Sequence, residues 1–272
     1  MQTPKNIYGV DFSGSKNAGK WIWIAKGVIE NENLVIEACF RGRDLPGSGN
    51  GLEICLSALR NFIKKHSDAA FGMDFPFALP KELVEQDRWK DFILKFPSLY
   101  SSPEGFRDKC FSKAGRRELK RNTDIKSKAP FSPYNLRLHK QTYFGISEII
   151  APLVREDLAL FLPMQKPKPG RPLVLEVCPA STLKNLGLYE KYKFKKNRDD
   201  CPETRSKILK EIERQGPLKF QGKGIRGLVV QDRNGDALDS VIAAFAAYRA
   251  MKKGLLPKNE KKEYRMEGYV YV

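Results

Sequence analysis

Ile7-Tyr8-Gly9-Val10-Asp11-Phe12-Ser13-Gly14 reads as a buried strand running into a Gly/Ser turn, with an aspartate where an apolar residue belongs. A lone buried carboxylate costs several kcal/mol unless a cation or hydrogen-bond donors compensate it. The pattern returns at Gly72-Met73-Asp74-Phe75-Pro76-Phe77, and a relative of it stands at Leu173-Val174-Leu175-Glu176-Val177-Cys178-Pro179. Three apolar strands, each with one acid at its centre or far end, suggest strands that deliver carboxylates to one point.

Working outward, Trp21–Ile29 and Leu34–Phe40 are rich in strand formers and are separated by the polar turn Glu30-Asn31-Glu32-Asn33, so three antiparallel strands open the fold. From Leu52 to His66, Leu52, Leu56, Leu59, Phe62 and Ile63 recur at the period of an amphipathic helix. Ala69–Phe77 then reads as a fourth strand. A strand–helix–strand connection of this length favours a parallel crossover, which would set the fourth strand beside the first and Asp11 beside Asp74. Helices are expected over Lys81–Phe96, Ile146–Leu162, Ser181–Leu186 and Pro202–Gln215, with a fifth strand at Leu173–Val177.

The chain has 272 residues, with Lys+Arg 49 against Asp+Glu 32, a formal charge of +17 and a pI near 9.6. That imbalance suits an anionic partner, most simply nucleic acid, DNA or RNA; the bland alternative is a basic protein with no polyanion partner. The five scattered cysteines form no CxxC pair and read as reduced thiols, and two histidines are too few for a His-based metal site. The chain has neither a signal-like N-terminus nor an apolar run of membrane-spanning length, which suggests a cytoplasmic protein without a membrane partner.

One stretch looks least like a core. Between Gly105 and Lys140 there are eleven basic residues against three acids, within an expected basic helical insertion at 98–145 of a single domain covering 1–272. Phe106, Phe111, Phe131, Tyr134, Tyr143 and Phe144 run through or just past it. Basic residues neutralise phosphates while aromatics stack on unpaired bases. Arg116, Arg117, Lys120 and Arg121 are therefore candidate nucleic-acid ligands, with Lys191 and Arg205 as further candidates beyond the fifth strand. The competing reading is a solvated insertion whose aromatics pin it to the core. A second basic cluster comprises Lys191, Lys193, Lys195, Lys196 and Arg198.

Near the end, Asp232-Arg233-Asn234-Gly235-Asp236-Ala237-Leu238-Asp239 opens an Ala-rich helix. Asp236 and Asp239, three apart, project from nearly the same side of that helix. Both acids could simply favour the positive helix N-terminus, with Asp236 as the cap. Together with the strand acids they suggest a metal site instead. Carboxylates without histidine or thiolate suit Mg²⁺ or Mn²⁺. Two such ions would activate a water and stabilise the leaving oxygen of a phosphodiester. Asp11 is the candidate bridge, Asp74 would hold one ion, and Asp236 and Asp239 would complete the set. Glu176 is a candidate ligand, supporting acceptor or base.

The segments Gly9–Gly14, Gly72–Phe77, Glu176–Ala180, Gly235–Ser240 and Glu267-Gly268-Tyr269 resemble the DUF429 family, predicted nucleases of the ribonuclease H-like superfamily. The resemblance implies an α/β, ribonuclease H-like mixed five-stranded sheet, with three antiparallel then parallel strands flanked by helices. The Asp-x-x-Asp of the last helix is similar to that of Holliday-junction resolvases of the same superfamily, which place glutamate where this chain has Asp74. The reading is a metal-dependent nuclease. A non-catalytic nucleic-acid-binding protein on the same fold is the alternative. More distant is an actin/sugar-kinase-like phosphotransferase, a superfamily that shares the strand topology and an Asp-bearing first strand but needs Gly-rich phosphate loops, for which this chain offers only Gly222-Lys223-Gly224.

Overall fold

The structure is a computed structural model that describes residues 4–194, 200–255 and 262–272. Its centre is a seven-stranded mixed sheet in the spatial order Leu160–Leu162, Leu173–Glu176, Ala69–Met73, Asn6–Asp11, Trp23–Glu30, Asn33–Arg41 and Leu218–Phe220. β1 (Asn6–Asp11), β2 (Trp23–Glu30) and β3 (Asn33–Arg41) form the expected antiparallel meander. β4 (Ala69–Met73) lies parallel to β1, as the crossover through the Leu52–Lys65 helix requires, and β6 (Leu173–Glu176) lies parallel to β4. The result is the expected α/β arrangement, a mixed sheet of antiparallel then parallel strands flanked by helices.

Two strands were not foreseen. β5 (Leu160–Leu162) pairs with β6, and β7 (Leu218–Phe220) pairs with β3, so short edge strands raise the expected five to seven. The expected helix over Ile146–Leu162 is corrected accordingly: the helical run stops at Arg155, and Leu160-Phe161-Leu162 is strand. A three-residue apolar run carries no period with which to tell the two apart. The expected helix over Lys81–Phe96 begins only at Trp89, after a short turn at Lys81–Leu83. The helices Pro179–Asn185 and Pro202–Gln215 stand close to their expected places, and a further helix, Lys223–Gln231, follows β7.

The sheet separates two cores. On one face, Tyr8, Val10, Phe71, Met73 and Val174 pack against the helices Leu52–Lys65 and Trp89–Leu99 and the helical run around Ile146–Ile150. On the other, Ile7, Ala70, Leu173, Leu175 and Val177 meet the helix Asp236–Lys252, which is buried continuously from Ala237 to Tyr248. That helix lies so close to the sheet that a Cβ on Gly9 would overlap the carbonyl oxygen of Ser240. One on Gly72 would stand 2.5 Å from the carbonyl oxygen of Ala243. The two glycines are what lets the backbones touch.

The 98–145 segment is less loosely attached than its charge suggests. Phe106, Cys110 and Tyr134 are fully buried, and Phe111, Tyr143 and Phe144 pack against the first core. Most of its aromatics therefore pin it to the core, with Phe131, half-buried and in neither core cluster, the exception; its Arg and Lys side chains mostly face water. The segment also holds the loop after β1: Gln141 Nε2 donates to the Phe12 carbonyl, and Gly14 lies against the Lys140 backbone.

Gly9→Ala should therefore destabilise the protein by about 3 kcal/mol or more, because the clash is with backbone rather than a movable side chain. Gly224→Ala, in a helix with open space around the position, should stay within about 1 kcal/mol of the parent. Denaturant midpoints for the pair measure the difference.

Candidate metal centre

Strand register brings the first two acids together. Val10 pairs with Met73 across β1 and β4, and the Asp74 N–H donates to the Val10 carbonyl at 3.0 Å, so Asp11 and Asp74 leave neighbouring strand ends on one face. The close-packed helix supplies Asp236 and Asp239 from above that same face. Asp11, Asp236 and Asp239 each offer a carboxylate oxygen, all within 4.8 Å of one another. Asp74 stands outside this trio but interacts electrostatically with Asp239 and Asp236.

Asp236 does not cap its helix. Asp232 Oδ2 accepts from the backbone N–H groups of Asp236 (2.8 Å) and Ala237 (3.0 Å), satisfying the first-turn donors. Gly235 takes a left-handed conformation, φ 74°, to turn the chain into the helix. The Asp236 carboxylate is thereby left to face the cluster.

A lysine closes the cluster. Lys193 Nζ lies 2.5 Å from Asp239 Oδ2 and 3.0 Å from Asp236 Oδ1, and the Tyr192 hydroxyl donates to Asp239 Oδ1 at 2.5 Å. The basic cluster around Lys191 was visible in the sequence, but nothing in its spacing distinguished Lys193. The only available signal was charge balance, since grouped buried acids demand a cation. The rest of that cluster, Lys195, Lys196 and Arg198, lies outside the described residues.

Burial first, and then repulsion among the acids, pushes the Asp11 carboxyl well above the usual range against the opposing pull of Lys193. Asp74 is raised to about 8 for the same reasons, with burial largest, and Asp236 is raised as well. Desolvation disfavours the Lys193 ammonium, but Asp239, Asp11 and Asp236 outweigh it and hold the group protonated. The thiol of Cys178 nearby is pushed up to about 12 by burial and by Asp74, so no thiolate nucleophile stands ready.

Three expected site residues belong elsewhere. Glu176 pairs in register with Met73, so its side chain leaves the sheet on the opposite face from Asp11 and Asp74. It forms a buried ion pair with Arg121 and accepts from the Phe77 N–H at 2.9 Å, which corrects its candidacy as a ligand or base. Arg121, only 1% exposed, also binds Asp124 at 2.7 Å and the Glu267 carbonyl at 3.0 Å. Every face of its guanidinium is engaged, so it does not meet a phosphate; it ties the Glu267-Gly268-Tyr269 segment to β6. Arg205 is likewise buried. It donates to the carbonyls of Val230 (2.6 Å) and Tyr192 (2.9 Å) and pairs with Asp200, so it fixes the loop that carries Lys193 rather than reaching for a strand. Arg116, Arg117, Lys120 and Lys191 are exposed and make no ion pair among the described residues. Gly222-Lys223-Gly224 begins the helix after β7, at the far edge of the sheet from β4 and β6, away from the acids.

The donor set fits a hard divalent cation: three grouped carboxylates, a fourth at hand, and a single ammonium that leaves them in charge excess. Without metal, the folded protein binds more protons at Asp11, Asp74 and Asp236 than the unfolded chain does. The stability of metal-free protein should therefore fall as pH rises from about 4 to about 8. Asp74→Asn should flatten that slope, as followed by thermal melts across the window in EDTA.

No curated protein matches the chain. Among solved structures, the crystal structure of the yeast mitochondrial Holliday junction resolvase Ydc2 is similar at 11% identity and a TM-score of 0.36, with 92% of this chain and 81% of that chain covered. No helix among the described residues is long and apolar enough to cross a membrane. The family model described as "Protein of unknown function (DUF429)" matches residues 9–262, and the chain belongs to that family.

Proposed function

We propose that this protein is a divalent-metal-dependent nuclease that hydrolyses phosphodiester bonds of DNA or RNA. The observation that carries the reading is the trio Asp11, Asp236 and Asp239, brought within 4.8 Å by a strand and a helix, with Asp74 on the adjacent strand end. In this reading Asp11, Asp236 and Asp239 hold one ion, and Asp74 with Asp11 provides for a second. Mg²⁺ or Mn²⁺ bound there would supply an activated water and charge stabilisation at the phosphate. Tyr192 holds the Asp239 carboxylate in orientation through its 2.5 Å hydrogen bond. The net charge of +17 favours approach of a polyanion, and the exposed Arg116, Arg117, Lys120 and Lys191 provide phosphate contacts.

A second reading is supported by Lys193. An ammonium that already pairs with both Asp236 and Asp239 suits a nucleic-acid-binding protein whose acids are structural. The two readings part on turnover. The nuclease reading expects cleavage of single-stranded or structured DNA or RNA in Mn²⁺ that stops in EDTA. Asp11→Asn and Asp239→Asn should each lower the rate by about 100-fold or more. Salt-dependent binding with no cleavage of any of these substrates would favour the second reading.

Lys193 and a bound ion compete for the same oxygens. Lys193→Ala should therefore tighten Mn²⁺ binding by about tenfold, a gain on the order of 1.4 kcal/mol, as titrated by the loss of the free Mn²⁺ electron-spin resonance signal. Unchanged Mn²⁺ affinity would contradict that competition.

A further inference from the structure

The acids form one end of a larger space. A cavity of about 390 Å³ opens beside them at the carboxyl ends of β4 and β6, with Asp74 and Asp239 in its lining. That volume lies within the range of sites for single small ligands, about 300–1,000 Å³. Two walls face it. One comes from the 98–145 segment and carries Phe131 and Arg137; the other is the loop after the Pro179–Asn185 helix, with Tyr189 and Lys191.

Each wall carries an aromatic ring backed by a cation, Tyr189 exposed and Phe131 half-buried. Arg137 stands over Phe131 at 5.3 Å, and Lys184 over Tyr189 at 5.3 Å. Tyr189 is 49% exposed, unusual for a large ring, while most aromatics of the 98–145 segment are packed into the core. The walls are fixed to each other, because Lys184 Nζ also donates to the Lys128 carbonyl at 2.9 Å. The acids in the lining other than the metal-site aspartates are already engaged: Asp124 and Glu176 by Arg121, and Glu190 by Lys207 at 2.5 Å. Arg137 and Lys191 make no ion pair among the described residues, so the mouth presents uncompensated positive charge beside the two rings.

Rings that stack and cations that bind phosphate match a nucleotide, and a ring reaches the face of a base only where that base is unstacked from its neighbours. We propose that this cavity is a subsite for one unstacked nucleotide of single-stranded or locally unpaired nucleic acid. The base lies against Tyr189 and Phe131, and the backbone lies at Arg137 and Lys191. The inference deepens the nuclease reading, and rests on it only in that the strand so held runs past Asp74 and Asp239.

The test is fluorescence binding in EDTA at low salt, using a single-stranded oligonucleotide with one 2-aminopurine, the matching duplex, and a free mononucleotide as competitor. The parent protein should bind the single strand at least about tenfold more tightly than the duplex. Tyr189→Ala and Phe131→Ala should weaken single-strand binding roughly 5- to 150-fold, the range of one lost base–aromatic stack, and Tyr189→Phe should restore it. Tyr189 is exposed, so its variants test the contact without loss of core packing. Equal affinity for both strands with both alanine variants indifferent would overturn the subsite, as would a mononucleotide that competes as strongly as the oligonucleotide. Metal-dependent cleavage with indifferent aromatic variants overturns the subsite and leaves the nuclease reading standing. Aromatic-dependent single-strand binding without cleavage supports the subsite and sinks the nuclease reading alone.

Discussion

The backbone of the Asp236–Lys252 helix touches the backbones of β1 and β4, and the candidate site depends on that contact. Gly9 and Gly72 stand side by side on adjacent strands, and any side chain at either would run into Ser240 or Ala243. Close approach lowers the first turn of the helix onto the strand ends, so that Asp236 and Asp239 meet Asp11 and Asp74. The small residues Ala243, Ala244, Ala246 and Ala247 serve the same end, letting a helix buried nearly all round lie flat across the sheet. A side chain's width of extra separation would disperse the carboxylates beyond shared coordination.

Around that contact the molecule holds its acids with two arginines that never reach water. Arg121 binds Glu176, Asp124 and the Glu267 carbonyl, fastening the C-terminal segment and the 98–145 segment to the end of β6. Arg205 binds the backbone of the Tyr192–Lys193 loop and so sets the groups that contact Asp239. Removing either would leave buried partners unpaired, which is why such groups act as braces rather than ligands. The clustered aspartates are the opposite case. Burial first, and then repulsion from the neighbouring acids, raises the carboxyls of Asp11 and Asp74 against the opposing pull of Lys193, and a divalent ion bound there would relieve that imbalance.

Much of this was legible in the sequence because the relevant signals are local. The alternation and turn residues from Ile7 to Phe40 encode the meander, and one amphipathic helix between two strands implies the parallel crossover that joins Asp11 to Asp74. What was not legible depends on register and burial. Glu176 sits in an acid-bearing strand like the other two, but its pairing with Met73 turns it to the opposite face, and register is a property of the assembled sheet. Arg121 lies in a run of exposed basic residues and is itself buried, a distinction that local charge does not carry. β5 and β7 are three residues each, too short to show a period. Lys193 resembled its basic neighbours until the fold set it against Asp236 and Asp239.

We propose that these aspartates form a metal centre, which Lys193 occupies only in the absence of an ion. Anomalous scattering from crystals soaked in Mn²⁺ is the decisive experiment. A strong peak ligated by Asp11, Asp236 and Asp239 is expected, with the Lys193 ammonium moved away from the carboxylates. A Lys193 that keeps both ion pairs, with no peak at the cluster in saturating Mn²⁺, would contradict it.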